Sequence, residues 1–285
     1  MSCMRADLPV AVFDSGVGGL TVLHELLVSL PAEDYLYLGD TARMPYGSRP
    51  AQELSGFAVQ IAEHLLAAGA KLLVVACNSA SAAALTTLQD HLDRTGRDVD
   101  VIGVLAPAAQ QAVAATHSGR IGLLATPATV GSGAYERTIR AADPHVLLES
   151  VACDDLASII EAGFPFDERL VSIVRGYCAP LRRAEVDTVI LGCTHFPLIA
   201  PMLQRTLGRG VTLVSSGWAV TRSVERALAA RGLLNPRDGE GSYRFQCTGP
   251  AGTFTELGTR FLQMPLGEVV HVELAPVAGV TELAA

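Results

Sequence analysis

Two short apolar runs in this chain each close on a cysteine and lead directly into a helix, and this repeated unit constrains the fold more than any other feature. Leu72-Leu73-Val74-Val75-Ala76 runs into Cys77-Asn78-Ser79 and an alanine-rich helix. Val189-Ile190-Leu191 runs through Gly192 into Cys193-Thr194-His195, after which Phe196-Pro197 opens another helix. Unbroken apolar runs of this length read as strands buried on both faces, the pattern of a parallel sheet covered by helices. Their polar ends then lie at the carboxyl ends of the strands, where open α/β sheets bind ligands.

The same alternation runs through the whole chain. Pro9 to Phe13 reads as a strand ending at Asp14-Ser15-Gly16, followed by a helix whose face is Leu20, Leu23, Leu27 and Leu30. The glycine-rich turn between them admits two readings: a turn needing glycine for backbone reasons, or an anion cradle at a helix start. Its match to a dinucleotide fingerprint is poor, because Thr21 stands where the third glycine belongs. Tyr35 to Leu38 is the next strand, leading to Asp40 and the turn Pro45-Tyr46-Gly47. Further strands are expected over 98–105, 120–126, 146–151, 211–216, 243–247 and 269–274. A short helix over 156–161 closes at Gly163 and Pro165. Strands alternating with helices predict an α/β protein of two similar doubly wound parallel-sheet domains, with the active site in the cleft between them. The expected units are 1–102, carrying Asp14 and Cys77; 103–212, carrying Glu161 and Cys193; and a return, 213–285, packing on the first.

At 285 residues the chain is long enough for such a pair. It has no apolar stretch long enough to span a bilayer and no signal-peptide core near Met1, which predicts a cytoplasmic protein without membrane contact. The net charge of −8 argues against nucleic-acid binding. The six cysteines have neither disulfide-scaffold nor metal-site spacing, so no metal is expected and the thiols should be reduced. Lys71 is the only lysine and stands at the start of a strand, away from the expected site. A pyridoxal cofactor held as a lysine Schiff base is therefore disfavoured, and no other cofactor is indicated.

Cys77 and Cys193 both precede helices, where a thiol pKa is lowered. Two thiols facing across a cleft, one ionised and one not, can remove a proton from one side of a carbon and return one on the other. Asp14 can serve one thiol and His195 the other. A single cysteine at a strand end is more often a small buried hydrophobe, the reading that suits Cys153, Cys178 and Cys247. Taken alone, His195 and Tyr46 are as readily structural as functional.

The motifs Phe13-Asp-Ser-Gly-Val-Gly-Gly-Leu20, Gly39-Asp-Thr-Ala42 with Pro45-Tyr-Gly47, Ala76-Cys-Asn-Ser-Ala80 and Leu191-Gly-Cys-Thr-His195, in this order, resemble those of glutamate racemases, cofactor-independent enzymes that make D-glutamate for peptidoglycan. The resemblance runs from about Val10 to the Trp218 region. It implies that Cys77 takes the α-proton of D-glutamate and Cys193 that of L-glutamate. Asp14 would assist the first thiol, and Glu161 (through Glu161-Ala-Gly163) with His195 the second. It implies substrate contacts from Asp14, Ser15, Tyr46, Gly47, Asn78, Ser79, Thr194 and His195, and a homodimer. The chain departs from the family pattern at Ser79, at Ala106 before Pro107, at Cys153-Asp154-Asp155, and at Ser215. Rival readings are a racemase of aspartate or a related acid, a catalytically silent binding protein on the same fold, and a nucleotide-dependent oxidoreductase using the glycine turn.

Overall fold

The computed structural model describes residues 3–163 and 167–277, so Pro165 lies outside the described residues. Its strands are β1 (Val10–Asp14), β2 (Tyr35–Gly39), β3 (Leu72–Val75), β4 (Asp100–Gly103), β5 (Arg120–Ala125), β6 (Leu147–Ala152), β7 (Thr188–Gly192), β8 (Thr212–Ser215), β9 (Tyr243–Cys247) and β10 (Val269–His271). They form two sheets, β10-β9-β2-β1-β3-β4 and β6-β5-β7-β8, and every pairing is parallel. The fold is α/β with two parallel-sheet halves, as the alternation of strand and helix patterns requires.

Successive side chains of a strand point to opposite faces, and the central strands of the first sheet divide their residues accordingly. Val10, Val12, Tyr35, Tyr37, Leu72 and Val74 enter one core, which continues into the second half through Ile121, Leu123, Val189 and Ile190. Ala11, Phe13, Leu36, Leu38, Leu73 and Val75 enter another, with Leu54, Ile61 and Leu65 of the helix Ala51–Ala67. Each large aliphatic side chain sealed this way contributes about 1.5–3 kcal/mol. Joining the halves through one apolar cluster ties the cleft to the most heavily buried part of the molecule.

Register decides which residues meet at the carboxyl ends. Phe13 lies opposite Val75, so Ser15 and Cys77 emerge side by side. Ala125 lies opposite Gly192, so Thr126 emerges beside Cys193. Strand β4 is shorter than the 98–105 expected. Val104 already has helical backbone angles and caps the helix Leu105–Ala115, in which Pro107 takes a first-turn position that needs no N–H. Strand β10 stops at His271 rather than at residue 274.

Lys71 is sealed at the amino end of the first sheet. Its Nζ lies 2.5 Å from Glu33 Oε2 and also donates to the carbonyls of Ala6 and Leu233. No helix among the described residues is long and apolar enough to cross a membrane.

Candidate active site

A cavity of about 610 Å³ opens where the carboxyl ends of the two sheets face each other. That volume suits a small polar ligand. Ser15, Tyr46, Gly47, Cys77, Asn78 and Ser79 reach it from the first half; Cys193, Thr194, His195 and Glu161 reach it from the second. Both cysteines therefore line one shared space. Asp14, counted from the sequence among the substrate contacts, is not on the wall. It is fully buried behind Ser15 and reaches the cavity only through its neighbours.

The Cys77 side is built by β1, β3 and the helix Asn78–Arg94. Cys77 caps that helix, its sulfur accepting the Ala80 N–H at 3.5 Å. Its thiol lies 3.8 Å from Ser15 Oγ, and the Ser15 hydroxyl donates to Asp14 Oδ1 at 3.3 Å. The lowering expected from the helix start is present but outweighed. Burial, and then the charge of Asp14, push Cys77 up to about 12, against the smaller pull of the Ala80 N–H and Ser15. Burial likewise raises Asp14, although the His195 charge and the Gly16 N–H oppose it.

The Cys193 side has different chemistry. Cys193 Sγ lies 3.7 Å from His195 Nδ1, and His195 Nε2 lies 3.1 Å from Glu161 Oε2. Glu161 ends the helix Leu156–Glu161, which brings its carboxylate back over the turn after β7. Burial alone would lower the His195 pKa. The bonds to Cys193 and Glu161, with the charges of Cys193 and Asp14, outweigh it and push His195 up to about 10. The ring packs edge-on against Phe261 at 5.0 Å, so its plane is held by the C-terminal helix Ala251–Leu262.

Glycines in the first turn let the two sides close together. A Cβ on Gly18 would lie 2.3 Å from Thr194 Oγ1 and 2.6 Å from the His195 ring. One on Gly19 would lie 2.5 Å from Asp14 Cβ. Thr21 Oγ1 donates to the Thr194 carbonyl at 2.9 Å, and Thr194 Oγ1 donates to Asp14 Oδ2 at 3.4 Å. Of the turn's residues Asp14 to Gly19, only Ser15 lines the cavity. Gly18 is packed closely against the Cys193 turn, and Gly19 against Asp14, Tyr37 and Ala76.

Across the cleft, Ser79 Oγ lies 2.9 Å from Thr126 Oγ1 and 3.2 Å from Thr129 Oγ1. The Gly47 carbonyl accepts the Ala128 N–H at 2.9 Å. Tyr46 both lines the cavity and anchors its loop, donating to Asp40, which also accepts from Arg43 and Thr248. The wall also includes Thr126, Cys153, Asp154, Glu256 and Arg260, which the sequence motifs did not single out. Arg260 is the only arginine or lysine on it and makes no hydrogen bond or ion pair among the described residues. No cluster of three metal-ligating side chains occurs among the described residues.

Two parallel-sheet halves bring titratable side chains together around one cavity, and the family in which this fold and site occur is one of racemases. The chain belongs to the Asp/Glu/hydantoin racemase family, whose model matches residues 21–224. It is 45% identical to a glutamate racemase of Parafrankia sp. over 95% of each chain. Among solved structures, it is similar to a glutamate racemase isoform from Bacillus anthracis, with a TM-score of 0.89, 36% identity and coverage of 95% of this chain and 98% of that one. It is also similar to the glutamate racemase of Francisella tularensis in complex with D-glutamate, with a TM-score of 0.88, 31% identity and coverage of 95% of this chain and all of that one (100%).

Proposed function

We propose that this enzyme interconverts L- and D-glutamate without a cofactor, using Cys77 and Cys193 on opposite faces of the α-carbon. The observation that carries the reading is that the two cysteines, from the ends of separate sheets, line one cavity. A thiolate on one side takes the α-proton, and the electron pair left behind is held by the α-carboxylate. The thiol on the other side returns its own proton, so each turnover exchanges the roles of the sulfurs. Cys193 acts on L-glutamate beside the imidazolium of His195, which Glu161 steadies. Cys77 acts on D-glutamate, with Ser15 linking its thiol to Asp14. Burial and Asp14 favour Cys77 as the protonated partner, a state suited to donating to the carbanion formed from L-glutamate.

The substrate is held by Ser15, Tyr46, Gly47, Asn78, Ser79, Thr194 and His195, with Asp14 acting through Ser15 and Thr194. Asn78 Nδ2 is buried and has no partner among the described residues, so it is a free donor for a carboxylate. The same reading divides the chain at 1–102, 103–212 and 213–285. It makes the protein a cytoplasmic homodimer that supplies D-glutamate for peptidoglycan. Glutamate is preferred over aspartate because the similar solved structures described above are glutamate racemases.

The test is racemisation of L-glutamate in D2O with no added cofactor. Deuterium should enter the α-position and circular dichroism should decay to zero. Cys77→Ser and Cys193→Ser should each lower kcat by about 10²–10⁴-fold, the usual weight of a positioned acid or base. Normal rates in both variants would overturn the two-thiol mechanism. A substrate panel in which aspartate outpaces glutamate would overturn the substrate.

A further inference from the structure

Asn78 begins a helix of the first half, and the residue that holds its side chain comes from the second. Tyr135, on the helix Ala134–Ala142 that follows β5, donates its phenolic hydrogen to Asn78 Oδ1 at 2.7 Å. Both side chains are almost fully enclosed, Asn78 being 3% exposed and Tyr135 1%. A primary amide has one accepting and one donating end, and rotation by half a turn exchanges them. With Oδ1 occupied by the phenol, Nδ2 is the end left without a protein partner, on a residue that lines the cavity. The reverse orientation would turn the accepting oxygen toward an anionic substrate and leave the phenolic hydrogen without that acceptor. In that orientation Nδ2 would donate to the phenolic oxygen and the phenolic hydrogen would turn to Ser216, so the cost of the reversal falls on the anionic substrate, which would face an accepting oxygen.

We propose that Tyr135 is a positioning residue that fixes the Asn78 amide with its donor end toward the substrate, and so lets one half of the molecule set the carboxylate-binding polarity of the other. The inference rests on the proposed function, in that the ligand is taken to be a carboxylate such as glutamate.

The experiment is a double-mutant cycle of Tyr135→Phe and Asn78→Ala, read by glutamate racemisation and by calorimetric binding of D-glutamate, with thermal midpoints measured alongside. Tyr135→Phe keeps the ring in its buried place and removes only the hydroxyl. It should raise KM and the dissociation constant about tenfold while changing kcat less, and in the Asn78→Ala background it should add nothing further. A Tyr135→Phe variant with unchanged KM and affinity would overturn the proposal. So would a loss fully additive to that of Asn78→Ala, the signature of a merely structural tyrosine. Wild-type protein that binds D-glutamate without turning it over would sink the racemase reading and still leave the binding cycle decisive for Tyr135. Protein that neither binds nor turns it over would sink both.

Discussion

The two cysteines are buried to a similar degree, at 6% and 7% exposure, but their charged neighbours differ. Cys77 is held as a thiol by burial and by the Asp14 charge, whereas Cys193 has a protonated imidazole beside it. Iodoacetamide at pH 8 should therefore alkylate Cys193 several-fold faster than Cys77, which peptide mass spectrometry would show. His195 also links stability to pH. Its folded pKa of about 10 lies above the ordinary 6.5, so the folded state holds a proton that the unfolded state releases. The resulting stabilisation is complete below about pH 6.5 and is lost as pH rises toward 10. The melting temperature should fall between pH 6.5 and 8.5, and less steeply in His195→Gln; parallel slopes would refute the link. The cysteines and His195 were legible in sequence because each sits in a motif at a strand end. Thr126 follows a strand in the same way, and that signal was available for it. Tyr135 and Arg260 carry no such mark. Tyr135 lies in the first turn of the helix Ala134–Ala142 and Arg260 in the last turn of Ala251–Leu262, and only tertiary packing brings them beside the site.

Among the elements, the turn from β1 to its helix has little slack. Gly18→Ala drives a methyl group into Thr194 and His195, and the neighbours are a short turn and a ring already fixed by Phe261. A loss of about 1–3 kcal/mol in stability is expected, together with a fall in kcat as the Cys193 turn shifts. Gly131→Ala, at a position with nothing within 4 Å, should leave both unchanged and serves as the control. Denaturant titrations paired with initial rates would decide it. The strands themselves were readable because five-residue runs such as Val10–Asp14 and Thr188–Gly192 are buried throughout. Their ends were not. The β-branched Val104 reads as strand by composition, yet the following helix claims it. The packing purpose of Gly18 was also hidden, since its partners lie far along the chain.

For the molecule as a whole, the site and the buried ion pair occupy opposite ends of the first sheet. Removing Lys71 by substitution to Met leaves Glu33 enclosed with no counter-charge, at a cost of about 3–5 kcal/mol. The folded fraction should still turn over at the wild-type rate, because the cavity opens at the other ends of the strands. Urea titration and kcat per folded molecule would separate the two effects; a lowered kcat would mean that the ends are coupled. The general layout was accessible from alternation alone. How closely the halves approach was not, because the Ser79, Thr126 and Thr129 hydroxyls that meet across the cleft form no pattern in sequence. Lys71 has a practical consequence as well. A chain whose single ε-amine is locked inside offers amine-seeking dyes and crosslinkers no lysine handle on its surface. Their uptake at that position would then act as a clock for the opening of the sheet's amino end.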